Sequence, residues 1–544
     1  MTSEHTGALT APRSPWRTVA WVSASTVLMM VLTVAVYLIR ATGTPESNWP
    51  VMYNLTSSDN GVLYQLVQDV FAGRVLDWSF SPQTYTFPEI PISFFAFVVT
   101  AGNLYWYYIV VAALNVALLF LVLYLLVRYL YPAAALREHL LRALVAAAPL
   151  VLLPLFTINS IYLFQLAPTY YYGVYLLGLL LPIALLTEQA WLRYTVLAGY
   201  ALAGASNPLL LAMTLPGVAL VLLLTFMRHG WRGQAARLAM FTGATVLVSV
   251  LVRLLVLAPM VAADPTSYIN ATKALQRDRE IYALFKNGFK LGLDGVLLAV
   301  TVIALIGCAL ALLIALRRFF ERPPTERHSE HRLATRIYLA SMPFLGALAM
   351  YLIMAVHYYY LWFGVVGSIV IALLLWPRPR MVSWLALTMA ALFVIGSTTT
   401  LVTNLNDPDR IEYFGARDPL TECLDSVVGE RLGEHALGYS TFSDARHYSL
   451  TSQTGLRLIA VVPEMSPNFW LTNRTPAHHE TGAFVLVNPN TSEPPLTPEG
   501  VTAAYGQPEA VVACGTDGVE IWFYDSEEAR ERIAGYLANW ADYR

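Results

Sequence analysis

The chain has 544 residues, of which 57% are hydrophobic and only 13% charged, and its mean hydropathy is +0.53. Soluble domains carry roughly 25% charged residues, so this composition excludes an ordinary soluble globular protein and points to a polytopic membrane protein. The net charge of −2 selects no class of partner, and no nucleic-acid signature is present.

Runs of about 20 apolar residues demand helices, because lipid offers backbone amides no other partner. Eleven such segments are predicted, near 18–39, 106–128, 143–163, 171–187, 192–205, 208–227, 238–258, 294–316, 337–356, 358–376 and 381–402. The first is longer than a signal-peptide core and lacks a cleavage site, so it is expected to remain as an anchor. Arginines set the orientation. Arg13 and Arg17 precede the first segment; Arg128, Arg137 and Arg142 follow the second; Arg193 follows the fourth; Arg228, Arg232 and Arg237 follow the sixth. "RRFFERPPTERHSEHRLATR" (Arg317 to Arg336) follows the eighth, and "PRPR" (Pro377 to Arg380) the tenth. With eleven spans, all of these fall on one side. By the positive-inside rule, that side is cytoplasmic.

The expected fold is mainly α, a transmembrane helical domain at 18–402 behind a cytoplasmic tail at 1–17. Loops 40–105 and 259–293 face outside, as does a soluble α/β domain at 403–544. The expected location is the plasma (inner) membrane. In the tail, "LRLIAVVP", "GAFVLVN", "EAVVACG" and "VEIWFYD" read as strands, "CGTDG" as a hairpin turn, and "SEEARERIAGYLANW" as a closing amphipathic helix. Three cysteines are present. Cys308 lies in an apolar run and reads as packing. Cys423 and Cys514 both fall in the polar tail, as a disulfide if the tail is extracytoplasmic or otherwise as two buried thiols.

The first loop contains "SSDNGVLYQLVQDVFAGRVLDWSFSPQTYTFPEIP", with the acids Asp59, Asp69, Asp77 and Glu89. Val62, Leu63, Leu66, Val67, Val70 and Phe71 recur at helical spacing, and Gly73 is a stop signal. These features predict an amphipathic helix on the outer membrane surface. "SSDN" is a good N-cap, so one reading of Asp59 is a helix cap. The functional reading makes it a general base, or the ligand of a divalent cation such as Mg or Mn. Glu89, stiffened by the prolines of "FPEIP", is the second catalytic candidate. Tyr64, Trp78 and Tyr85 are candidates for packing on a sugar or acceptor. Asp69 and Asp77 read as solvated or capping residues.

The 259–293 loop holds all three lysines of the chain, Lys273, Lys286 and Lys290, with Arg277 and Arg279. Arg253 lies in the outer half of the preceding span. A basic cluster on the outer side suits a lipid phosphate, with generic attraction to anionic head groups as the plainer alternative. His357, in the aromatic turn "HYYYLWF", is a further candidate to donate a hydrogen bond to that phosphate, while the turn's tyrosines and tryptophan read as interfacial anchors. "AHHE" (Ala477 to Glu480) has no metal-ligand spacing, and no Walker-type loop or G-x-S-x-G occurs.

The order "SDNGVLYQLVQDVFAGRVLDW…Y.FPEIP" resembles the first loop of the GT-C superfamily of membrane glycosyltransferases, in the bacterial protein mannosyltransferase and aminoarabinose transferase group. The resemblance implies an inverting enzyme that moves a sugar from a polyprenyl-phosphate donor to a glycan, lipid or protein acceptor of the cell envelope. It places Asp59 at the acid before the surface helix and Glu89 near a second acidic position. Where many members carry two adjacent acids, this sequence has Asp59–Asn60. The rival readings are a lipid-linked glycan transporter or flippase, which needs ionisable residues deep in several spans, and a non-catalytic scaffold that presents the tail.

Overall fold

The structure, a computed structural model, describes residues 15–40, 42–43, 56, 58–156, 172–231, 233–261, 278–279, 282–283, 286, 293–321, 327–353, 362–376, 379–406, 411–412, 419–491, 493–515 and 518–540. Each of the eleven predicted segments corresponds to a helix. They run Pro15–Arg40, Leu104–Leu130, Leu136–Phe156, Tyr172–Leu186, Ala190–Ser206, Leu209–His229, Gln234–Val252, Leu293–Glu321, Arg327–Ile353, Trp362–Leu375 and Pro379–Leu405. Among the described residues, eight helices are long and apolar enough to cross a membrane. The rest of the eleven are shorter.

The bundle core runs along the helices from Leu104 to Leu130 and Leu136 to Phe156, with Phe120, Leu123, Ala147 and Tyr175 fully enclosed. Peripheral helices keep large apolar side chains outside, such as Leu254, Leu255, Ile303 and Leu387. In lipid that exposure costs nothing, because the hydrocarbon is as apolar as leucine.

The described residues contain nine short strands: β1 (Thr42–Gly43), β2 (Trp78–Ser79), β3 (Ile411–Glu412), β4 (Leu437–Ser440), β5 (Arg457–Ala460), β6 (Thr472–Asn473), β7 (Phe484–Val487), β8 (Ala510–Ala513) and β9 (Glu520–Phe523). Five of them form a mixed sheet in the order β5-β4-β7-β9-β8. β4 pairs in parallel with β5 and β7, while β9 runs antiparallel to β7 and β8. Four of these strands are those read from the sequence. The fifth, β4, was not read, since "LGYS" is short and carries a glycine.

Alternate side chains point to opposite faces of a strand. Phe484, Leu486, Ile521 and Phe523 face one way, against the helices Pro419–Leu432 and Phe442–Thr451. Val485, Val487 and Trp522 face the other, against Pro498–Tyr505 and Glu527–Ala538. A sheet covered on both faces needs continuous apolar strands, which explains "FVLV". The final helix is capped by Ser526, whose side chain accepts the Ala529 amide at 3.2 Å.

The predicted surface helix exists at Val62–Phe71, and Gly73 ends it with φ 66°. It does not lie on an open surface. Val62, Leu63 and Leu66 belong to the core of the C-terminal domain, while Tyr64 packs with Ala96, Leu104 and Tyr107. The helix is wedged between the membrane bundle and the sheet domain. Its apolar spacing signals burial, and the second buried face comes from a domain nearly four hundred residues away.

Cys423 and Cys514 form a disulfide across a separation of 91 residues, tying the Pro419–Leu432 helix to the end of β8. By the loop-entropy relation, closing a loop of that size restricts the unfolded chain by about 4–5 kcal/mol. Reductant, or Cys423→Ser, should therefore lower the thermal midpoint of the full chain in detergent micelles. An unchanged midpoint would show that the bridge contributes nothing.

Candidate functional site

Asp59 sits in a single 3-10 turn, Ser58–Gly61, that leads directly into the Val62–Phe71 helix. The N-cap of that helix is Gly61, so Asp59 lies two residues upstream of the capping position. A Cβ on Gly61 would come within 2.6 Å of the Thr56 carbonyl oxygen and 2.7 Å of Arg446 Cγ. Only glycine lets the backbone approach the C-terminal domain this closely.

Arg446 is the centre of that contact. It lies on the Phe442–Thr451 helix and is 4% exposed. Its guanidinium donates to Gln65 Oε1 and to the Leu471 carbonyl. It also stands 5.9 Å from the Trp78 ring and 5.6 Å from the Phe442 ring. Burial pulls its pKa down to about 10, and the nearby charges of Asp59 and Asp69 act against that fall. The next residue, His447, shares a 2.6 Å hydrogen bond with Thr56 Oγ1. Burial pushes its imidazole down to about 3, so the ring is neutral.

Further contacts stitch the same loop to the same domain. Asp69 pairs with Arg74 at 2.8 Å and accepts from Asn473 Nδ2 at 2.9 Å. Asp77 pairs with Arg474 at 2.5 Å, and β2 lies antiparallel to β6. Asp69 is thus buried and paired rather than solvated, and Asp77 is paired too. Asn473 and Arg474, distant in sequence, supply partners in both departures, with Arg74 nearby in the same loop.

Glu89 opens the Glu89–Val99 helix, just after the cis Phe87–Pro88 bond. It is 5% exposed, and among the described residues its Oε2 has no hydrogen-bond partner. Gly173 lies directly against it: a Cβ there would meet Pro88 Cδ at 2.2 Å and Glu89 Oε1 at 2.8 Å. Burial raises the carboxyl from 4.5 to about 7, and hydrogen bonds from its own amide and that of Gly173 limit the rise. Tyr64, Tyr107 and Tyr108 cluster with Ala96, two turns along the Glu89 helix. Tyr108 donates to the Asn60 carbonyl at 3.4 Å, which joins this wall to the Asp59 turn.

The other candidates are more scattered. Tyr64 donates to the Gly102 carbonyl at 2.5 Å and packs edge-on to Tyr107. Trp78 is buried beneath Arg446, and Tyr85 is buried with φ 52°. All three pack on protein here. Arg253 donates to the Ala205 carbonyl at 3.0 Å, at the end of the Ala190–Ser206 helix. Ser206 in turn accepts the Thr84 amide at 2.9 Å on its carbonyl. Arg253 thus sits at the junction that holds the loop before Glu89. Arg279 and Lys286 are exposed, while Lys273, Arg277, Lys290 and His357 lie outside the described residues.

Over 94% of its length, and 99% of the other chain, the protein superposes on the crystal structure of ArnT from Cupriavidus metallidurans bound to undecaprenyl phosphate, with a TM-score of 0.51 and 11% identity. The chain has the ArnT fold. The apo state of that ArnT also matches, with 14% identity over the same coverage and a TM-score of 0.39. No protein-family model and no curated protein matches the sequence. The ArnT likeness agrees with the GT-C-like fold expected from the first loop, and with a multi-pass membrane protein.

The sequence reading missed Arg446, His447, Tyr107, Tyr108 and Gly173. The fold of this chain places Arg446 and His447 under the first loop, although "FSDARHYSLT" has no motif spacing. The available signal was an Arg–His pair inside a short helix of small polar residues.

The fold favours Glu89 as the free acid. Its stabilising contribution is fully present below about pH 4.5 and is lost as pH rises through about 7. The loss should be about 3 kcal/mol for a buried carboxyl shifted this far. Unfolding of the wild-type chain and of Glu89→Gln across this range measures it, and parallel pH curves would refute it.

Proposed function

We propose that the chain is an inverting membrane glycosyltransferase. It moves a sugar from a polyprenyl-phosphate donor to a glycan, lipid or protein acceptor of the cell envelope, on the outer face of the plasma membrane. The observation that carries this reading is the position of Asp59. It is a partly exposed carboxylate in a turn clamped between membrane helices and the sheet domain. The ArnT fold supports the class of reaction.

In this reading the acceptor hydroxyl oxygen attacks the anomeric carbon of the donor sugar. The bond from that carbon to the phosphate oxygen breaks, and polyprenyl phosphate leaves with the electron pair. Asp59 takes the hydroxyl proton. Glu89, whose carboxyl burial raises to about 7, orients donor or acceptor from a buried position, and its protonated form can donate a hydrogen bond. Tyr64, Trp78 and Tyr85, buried against protein here, would support the wall of the site from behind rather than touch the sugar. Arg253, Lys273, Arg277, Arg279, Lys286, Lys290 and His357 receive the phosphate.

The step as proposed needs no divalent cation, since Asp59 takes the proton and cationic side chains receive the phosphate. Asn60 replaces a second acid beside Asp59, and among the described residues no three His, Cys, Asp or Glu side chains gather as a metal site. Arg446 already supplies a positive charge near Asp59. Transfer should therefore persist in excess EDTA. Loss of activity that is restored by Mg or Mn would refute this part.

Asp59→Asn keeps the shape and removes the base. It should lower the transfer rate by about 10²–10⁴-fold, the usual worth of a general base. The test is transfer from a radiolabelled polyprenyl-phosphate sugar in membranes. A transporter reading predicts instead that labelled lipid crosses the bilayer without sugar transfer. Full transfer activity in Asp59→Asn would sink the assignment.

A further inference from the structure

The Glu89–Val99 helix is built inside out. Its buried positions are Glu89, Ser93 and Ala96, on one stripe, while Phe95, Val98 and Val99 face outward. Residues four apart share a helix face, so the Ser93 hydroxyl lies one turn along from the Glu89 carboxyl. The Leu104–Leu130 helix brings a third polar group. Tyr107 packs in the cluster that holds Ala96, with Ser93 close to its hydroxyl.

Glu89 Oε2, Ser93 Oγ and Tyr107 Oη are all buried, and among the described residues none forms a well-directed hydrogen bond. The three residues are 5%, 1% and 0% exposed. A buried polar atom without a partner forfeits its hydration, so three on one packed interface point to a shared occupant. Side chains one helical turn apart start about 5–6 Å from each other. That exceeds a direct O–H···O bond of about 2.7 Å and suits two such bonds in series through a water. An internal water needs roughly two to four polar partners, and three converge here. The hydroxyls of Ser93 and Tyr107 donate to its oxygen, and it donates to Glu89 Oε2.

The other carboxyl oxygen is already placed. Oε1 faces Gly173, whose amide bonds the carboxyl. Among the described residues no charged side chain acts on Glu89. The ionisable groups on the elements packed here are Tyr64, Tyr107, Tyr108 and Tyr172, and Asp69, which is turned to Arg74 and Asn473. We propose that Ser93 and Tyr107 are positioning residues that hold the second oxygen of Glu89 through one internal water. With both oxygens held, the carboxyl keeps one orientation, and the water is the polar partner that its ionised form needs. The positioning role rests on the glycosyltransferase reading, whereas the water site rests on the three buried groups alone.

Infrared pH titration of the full chain in nanodiscs tests it, with Glu89→Gln assigning the carboxyl band. The wild-type chain should show a water O–H stretch that shifts in heavy-oxygen water. Tyr107→Phe keeps the ring contacts to Tyr64 and Tyr108 and loses only the hydroxyl; Ser93→Ala does the same on the helix. Each should abolish the water band and raise the Glu89 midpoint by about one pH unit, a tenfold gain in proton affinity. The pH profile of transfer should move by the same amount. Thr100→Val, on the same helix, removes a hydroxyl already bonded to the Ala96 carbonyl at 2.8 Å and should change neither readout. An unchanged midpoint in either test variant, an equal shift in Thr100→Val or the lack of an isotope-sensitive band would overturn the proposal. The water band without transfer from any polyprenyl-phosphate sugar would refute the enzymatic reading and leave the water site standing.

Discussion

A buried guanidinium holds the first loop to the C-terminal domain. Removing Arg446 from water costs several kcal/mol, and only good partners offset it. Those partners are the Gln65 amide, the Leu471 carbonyl, two aromatic rings and the fields of Asp59 and Asp69. Gln65, Trp78 and both acids come from the first loop, and Leu471 and Phe442 from the C-terminal domain. The charge is therefore tolerable only when loop and domain are together. The Asp59 turn takes its position from that requirement, with Gly61 allowing the approach and His447 fixing Thr56.

The domain after the last span is consequently more than an appendage. Val62, Leu63 and Leu66 complete one hydrophobic core with Leu424, Phe442, Tyr448 and Phe484. Without the loop, that face of the sheet domain would expose its core. Without the domain, the loop helix would lose its second face and its acids their partners. The scaffold reading, in which the tail acts alone while the loop tolerates change, is hard to reconcile with a shared core.

Lipid imposes a length and composition on each span, so the helical bundle could be read from sequence almost segment by segment. The Val62–Phe71 helix was legible for a similar reason, since its apolar spacing is local. Its double burial was not, because periodicity reveals that a face is buried and not what covers it. Asp69 shows the consequence: an acid in a surface helix reads as solvated until Asn473 is brought to it by the fold, beside its local partner Arg74. Asp59 was legible as a candidate because acids near a bilayer are few. Arg446 was illegible because nothing in "FSDARHYSLT" announces a partner in a loop nearly four hundred residues earlier.

Asp59 and Glu89 also differ in a way that only the environment could set. Asp59 is partly open and lies near a cation. Glu89 is enclosed, with one oxygen lacking a partner among the described residues, and sits at about 7. The tyrosine wall of Tyr64, Tyr107 and Tyr108 packs against the Glu89 helix at Ala96 and bonds the Asp59 turn at Asn60, and so links the two sites. The sheet domain clamps Asp59, and Gly173 at the start of a bundle helix closes over Glu89, so the pair depends on both halves of the chain at once.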